Sequence, residues 1–292
     1  MTRFLALALL FKAFALALLT GCEARVDDAV FAEQASSRPY LVSTKHGHDG
    51  SRSSPVLVVL HAYGTGSDVL VRAHALRRLA VVRRDWILVV PEGTPDLDGH
   101  VSWNASAACC GARKDAPDDV GYLHAVLEDL RRRIAVDPAR VFAIGESNGG
   151  FMAHRWACSG TGDVRAIVSI SGAAPGPDDP PCAAKVAVSV LEIHGDQDEV
   201  FRYQGGRSGR GRYPSTAESV AIWRRLDDCD PLPRSSRRWR PFPGSFRVED
   251  WSCPSARVTL WTVEGAAHQI HNLRVLADEI LDFLEHAPLG RG

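Results

Sequence analysis

Six short aliphatic runs, each leading into a glycine, punctuate the chain. The first, PVLVVLHAYG at 55–64, carries five unbroken aliphatics between Pro55 and a glycine turn. Unbroken apolarity of that length describes a strand buried on both faces, where a half-exposed strand would alternate. DWILVVPEG, RVFAIGES, VRAIVSISG, VAVSVLEIHG and RVTLWTVEG repeat the form. Between them the period lengthens. PDDVGYLHAVLEDLRRRIAVDP opens on Asp118 and Asp119 and closes on Arg131, Arg132 and Arg133, the charge order a helix dipole favours. STAESVAIWRRL sets Ser215 and Glu218 at capping-box spacing, and NLRVLADEILDFLEHA ends the pattern. Strands alternating with helices predict an α/β fold: a mostly parallel central sheet with helices on both faces, a three-layer sandwich.

No internal repeat or composition break divides residues 40–288, which read as one domain. Residues 23–39 are polar and mixed and read as a tether or a lead-in strand. PRSSRRWRPFPGSFR, at 233–247, fits neither period and reads as an irregular surface excursion at about 230–250, between Cys229 and Cys253.

Ahead of the domain stands an apolar stretch from Phe4 to Leu19, preceded by Arg3 and followed by Leu19-Thr20-Gly21-Cys22. It is a little short for a membrane span and is interrupted by Lys12, so residues 1–22 read as an export signal. Its end resembles a bacterial lipobox, which predicts lipid on Cys22 and membrane contact through that anchor alone; without it the protein is periplasmic or secreted. Seven cysteines less Cys22 leave six, an even set that can pair in an oxidising compartment in fifteen ways. Cys229 with Cys253 is the preferred bridge because the two flank the excursion, and Cys158 with Cys182 comes next. Cys109 and Cys110 then form a vicinal pair or join elsewhere. With no C-x-x-C spacing, a zinc site is not expected.

Charge narrows the partners. With 34 basic against 35 acidic residues in 292, no long-range field draws the protein to nucleic acid, although arginines interleaved with Trp and Phe at 233–247 have the composition of a single-strand binder. GGRSGRG at 205–211 follows no predicted strand and lacks the Walker lysine, so it reads as a flexible active-site rim, and neither cofactor nor metal is implied.

AIGESNGGF at 143–151 carries the chemistry. Glycines weaken a buried strand, so Gly145 and Gly149 around Ser147 serve something else. G-x-S-x-G between a strand and a helix is the nucleophile elbow, whose tight turn lifts a serine above the sheet edge while the next N–H, of Asn148, faces a developing oxyanion. A serine hydroxyl needs a histidine base oriented by a carboxylate, and in this arrangement acid and then histidine follow the serine. LEIHGDQDEVF offers Asp196 and Asp198, with Glu199 behind them; VEGAAHQIHNL offers His268 and His271. Asp198 is preferred, and so is His268, which follows the GAA loop where His271 abuts the last helix. The loop HAYGTGS should supply a second oxyanion N–H, assigned to Tyr63, while His61 and His194 read as structural.

VLHAYGTGSD, WNASAACCG, DDVGYLHAVLEDL, VDPARVFAIGESNGGFMAHRWAC, IHGDQDEVFRYQGG and GAAHQIHN together resemble, in that order, the exported polyhydroxybutyrate depolymerase and feruloyl esterase family. The resemblance implies an α/β-hydrolase fold with Ser147 as nucleophile, Asp198 as acid and His268 as base. It implies an ester substrate, either a small molecule or one linked to a polysaccharide: feruloyl, acetyl-xylan or hydroxyalkanoate. The chain departs from the family at Ala62, where glycine is common, and at Gln269 and Ile270, where a tryptophan-proline pair is common. A serine peptidase of the same fold and a binding protein that keeps the fold without the chemistry are the alternatives.

Overall fold

The six aliphatic runs lie side by side at the centre of one sheet. A computed structural model describes residues 28–66, 74–110, 115–209, 211–241, 244–270 and 276–288; the signal segment, Cys22 and His271 lie outside the described residues. In chain order the strands are β1 (Asp28–Ala35), β2 (Arg38–Lys45), β3 (Ser54–Leu60), β4 (Ile87–Pro91), β5 (Thr94–Pro95), β6 (Val101–Ser102), β7 (Val136–Glu146), β8 (Ala166–Ile170), β9 (Ser189–Gly195), β10 (Gly206–Ser208), β11 (Gly211–Tyr213), β12 (Ser235–Trp239), β13 (Phe246–Ser252) and β14 (Arg257–Val263). The longer helices are α1 (Asp119–Arg133), α2 (Asn148–Ala157), α3 (Thr216–Leu226) and α4 (Ala277–Glu285).

Ten strands form the main sheet in the order β1-β2-β4-β3-β7-β8-β9-β14-β13-β12. Its centre, from β4 to β14, is parallel throughout, and the outer pairings are antiparallel. Every residue of β3, β4, β8 and β9 is buried, the consequence of covering both faces. Along β3 the faces alternate: Val56, Val58 and Leu60 pack with Leu123 of α1, Met152 of α2 and Trp223 of α3, while Leu57 and Val59 pack with Ile280 and Leu281 of α4. Helix ends follow their sequence signals. Asp118 caps α1 by accepting from the Gly121 N–H, and Ser215 and Glu218 close a reciprocal capping box on α3. No helix among the described residues is long and apolar enough to cross a membrane.

Two segments differ from expectation, and a third takes one of its two readings, the lead-in strand. Residues 23–39 include a sheet strand: β1 pairs with β2 from Asp28↔Lys45 to Ala35↔Arg38, and Ser36 and Ser37 make the turn at positive φ. The stretch at about 230–250 contains an ordered hairpin, in which β12 pairs with β13 and extends the sheet edge. GGRSGRG likewise contributes to a hairpin, β10 with β11. Strands at edges and rims bury at most one face and lack the unbroken apolar run that marks a central strand. On β13, buried Phe246 and Val248 flank exposed Arg247, a period of two that arginines and prolines conceal in the sequence.

Disulfides join Cys229 to Cys253, Cys158 to Cys182, and Cys109 to Cys110.

Candidate active site

Ser147 occupies the single residue between β7 and α2, at φ 53° and ψ −117°. That conformation is unfavourable for a residue with a Cβ and is held by its surroundings. The Ser147 N–H donates to the Ile170 carbonyl at 2.8 Å, fixing the turn to the end of β8. Glycine is obligatory on both sides. A Cβ on Gly145 would strike the Gly149 carbonyl, and one on Gly149 would strike the Leu60 carbonyl of β3. The helix start is thus pressed against two strands, and the hydroxyl stands at their carboxyl ends.

The loops after β9 and β14 reach the same edge. His268 Nδ1 lies 2.7 Å from Asp198 Oδ2, and its Nε2 lies 2.9 Å from Ser147 Oγ. Because a carboxylate only accepts, Nδ1 carries the proton and Nε2 is left to accept from the hydroxyl. Asp198 Oδ1 accepts from the N–H groups of Val200 and Phe201 at 2.8 and 2.9 Å. Burial alone would raise this carboxyl, but hydrogen bonds from His194 and His268 outweigh it and hold Asp198 well below the usual carboxylate range. Asp196, the rival acid, is engaged elsewhere. Its Oδ1 accepts from the Gly265 N–H at 2.8 Å and so ties down the loop that carries His268. Ser171 Oγ donates to the His268 carbonyl at 2.8 Å and fixes the other side of that loop. His271 lies outside the described residues.

Next to Ser147, Asn148 begins α2, where an N–H has no intrahelical acceptor. Its side chain accepts from the Trp103 N–H at 2.7 Å and donates to the Trp103 carbonyl at 3.1 Å. Tyr63 lines the same cavity as Ser147, and its hydroxyl donates to Asp96 Oδ2 at 2.5 Å. His61 is a structural group: its Nε2 accepts from the Gly93 N–H at 2.9 Å, its Nδ1 lies 2.8 Å from the Ala62 carbonyl, and burial pushes its pKa down. Asp96, Asp98 and His100 bring ligand atoms within 4.8 Å of one another. The Asp96 carboxylate is already occupied by the N–H groups of Asp98 and His100 and by Tyr63, so the cluster is a turn closed by its own hydrogen bonds.

The cavity over Ser147 has a volume of about 1140 Å³. Phe201, Cys109 and Cys110 form part of its wall, and Ser208 and Gly209 come from the β10–β11 hairpin. In the sequence Cys109 and Cys110 read as staples that could pin the loops around the site, not as part of its wall. No local pattern marks a loop residue as a cavity wall.

No family model matches the chain. Two relatives align over most of it. NocK of Nocardia uniformis subsp. tsuyamanensis, provisionally named an esterase, is 29% identical over 231 residues, which are 73% of this chain and 64% of that protein. Feruloyl esterase B of Piromyces equi is 24% identical over 245 residues, 79% of this chain and 42% of that protein. The matched region is therefore less than two thirds of either relative. A mutant feruloyl esterase module from Clostridium thermocellum, solved with sinapinate, superposes with a TM-score of 0.59 at 12% identity and covers 92% of both chains. The fold is the α/β-hydrolase fold. In α/β-hydrolases the strand-to-helix elbow stands at the carboxyl edge of the sheet, with acid and histidine on later loops, the positions taken here by Ser147, Asp198 and His268.

Proposed function

We propose that the protein is an exported carboxylic-ester hydrolase working through an acyl-enzyme. The observation that carries this reading is His268 bridging Ser147 Oγ and Asp198 at 2.9 and 2.7 Å beneath an open cavity. Ser147 Oγ attacks the ester carbonyl as its proton passes to His268 Nε2. Asp198 stabilises the imidazolium that forms, and the N–H groups of Asn148 and Tyr63 receive the oxyanion. Collapse expels the alcohol with the proton from His268, and water repeats the sequence to free the acid. The esterase names of the relatives, and three disulfides suited to an oxidising compartment, support an exported esterase acting on acyl groups such as feruloyl, acetyl-xylan or hydroxyalkanoate esters. Lipid on Cys22 would hold it at a membrane.

Ser147→Ala and His268→Ala test the reading with a short-chain nitrophenyl ester. Each variant should keep the wild-type circular dichroism spectrum and lose about 10⁴- to 10⁶-fold in kcat, the scale of triad deletions. Near-normal turnover by folded Ser147→Ala would overturn it. A panel of feruloyl, acetyl-xylan and hydroxybutyrate esters then ranks the acyl groups by kcat/KM.

A further inference from the structure

The carboxylate that meets His268 also meets a second histidine. His194 Nε2 lies 3.1 Å from Asp198 Oδ2 and 2.8 Å from the Phe201 carbonyl, so its proton is shared between two acceptors. On the other side of the ring, His194 Nδ1 makes no hydrogen bond and faces Glu192 Oε1 at 3.6 Å, an ion-pair distance. Glu192 Oε2 in turn lies 2.9 Å from His154 Nε2, and His154 Nδ1 accepts from the Trp223 indole N–H at 2.9 Å. Because the indole only donates, the proton of His154 sits on Nε2 and points at Glu192.

Glu192, His154 and Trp223 have no solvent exposure, and His194 has 2%. A carboxylate in the middle of a fully buried parallel strand is costly to bury, and packing alone would be served by an aliphatic side chain. The groups facing His194 are Glu192 from its own strand, Asp198 and the edge-on ring of Tyr203 from the loops that follow, and His268 across Asp198; His154 of α2 stands behind Glu192.

We propose that His194 is a positioning residue: an imidazolium wedged between Glu192 and Asp198 that holds the Asp198 carboxylate in line with His268. The proposal rests on the reading of Ser147, His268 and Asp198 as the reacting groups. The constellation then continues into the core as Asp198, His194, Glu192 and His154 and does not end at the carboxylate. One cation between two carboxylates offsets part of their charge where solvent cannot, and Asp198 cannot rotate without breaking both imidazole contacts. Burial alone would lower the His194 pKa, but its hydrogen bond to Asp198 and the charge of Glu192 outweigh that and hold it up at about 9. A cation on the far side of Asp198 also offsets the negative charge that His268 meets.

The test is His194→Gln, whose amide can still donate to Asp198 but carries no charge, with His194→Asn as the shorter alternative. Rates on nitrophenyl acetate are normalised to sites titrated by a fluorophosphonate, so that misfolded protein is not counted. The expected result is a fall in kcat of about 10- to 100-fold, the range lost when a group that orients a first contact is removed, with KM little changed. The acid limb of the kcat/KM profile should move to higher pH, a readout that a purely structural role would leave in place. If Ser147→Ala is inactive but His194→Gln keeps wild-type kcat and an unmoved acid limb, this proposal alone falls. Active Ser147→Ala would instead remove the reading beneath it. Should neither His194 variant fold, ring-nitrogen chemical shifts of the unaltered protein decide: His194 protonated at pH 7 supports the proposal, and a neutral ring overturns it.

Discussion

Ser147 was legible because its local pattern and its structural role coincide: a turn that admits no Cβ on either side must be written with glycines. Asp198 and Asp196 could not be separated that way, since both sit on one short loop and differ only in what the fold brings to them, His268 to one and the Gly265 N–H to the other. Asp227 shows the same limit without any link to the site. It caps the end of α3; Oδ1 accepts from the Val188 N–H at 3.3 Å, and Oδ2 is buried with no hydrogen bond. Burial pushes its pKa up to about 7 against the Val188 bond, with the Asp228 charge adding to the rise. An ordinary aspartate in the unfolded chain titrates near 4, about three units lower. The fold therefore favours the protonated carboxyl, and that contribution is full below pH ~4 and is lost as pH rises through about 7. Asp227→Asn, neutral throughout, should match wild type near pH 4 and exceed it above pH 7 by about 1–3 kcal/mol, the usual cost of a buried unsatisfied polar group. Urea melts at pH 4.5 and 8 check this. An equal difference at both would show that ionisation is not the cause.

At the scale of elements, the six parallel strands were legible, while of the four edge strands only β1 was foreshadowed, as one of two readings of residues 23–39. Uniform burial leaves uniform apolarity, so β3, β4, β8 and β9 announce themselves, whereas β1, β2, β12 and β13 mix arginine, glutamate and serine with their inward residues. Where three elements converge, one methyl group decides the geometry. Gly149, the second residue of α2, lies against the carbonyls of Leu60 and His61, at the point where β3 gives way to the loop of Tyr63. Gly149→Ala must push the helix start away from β3 and carry the Asn148 N–H with it. Overpacking of this kind costs about 1–3 kcal/mol. The variant should melt at a lower temperature, and its kcat per fluorophosphonate-titrated site should fall more than its KM changes. Wild-type kcat in a merely less stable protein would mean that the Asn148 N–H has no part in holding charge.

Across the whole molecule the cysteines divide by role, and the division follows from sequence separation. Cys158–Cys182 and Cys229–Cys253 each span 24 residues, whereas Cys109–Cys110 joins neighbours. Closing a loop of that size removes about 3–4 kcal/mol of unfolded-chain freedom in the chain-entropy model, and closing one between neighbours removes almost none. The first bridge fastens the end of α2, the helix that Ser147 precedes; the second fastens the end of α3 to β13 at the sheet edge. The third lies on the cavity wall, where Cys109 Sγ meets Asn148 Nδ2 at 3.6 Å. Removing the two long-loop bridges together, by Cys158→Ala with Cys182→Ala and Cys229→Ala with Cys253→Ala, should therefore lower Tm by about 10–25 °C, combining the loop entropy with the usual few degrees per kcal/mol for a domain of this size. Activity per titrated site should survive in whatever remains folded. Cys109→Ser with Cys110→Ser should do the reverse, leaving Tm nearly unchanged while altering KM for esters with bulky acyl groups. Scanning calorimetry beside ester kinetics measures both arms. A large loss of Tm from the neighbouring pair, or none from the two long loops, would show that the staples act through native-state packing and not through the unfolded chain.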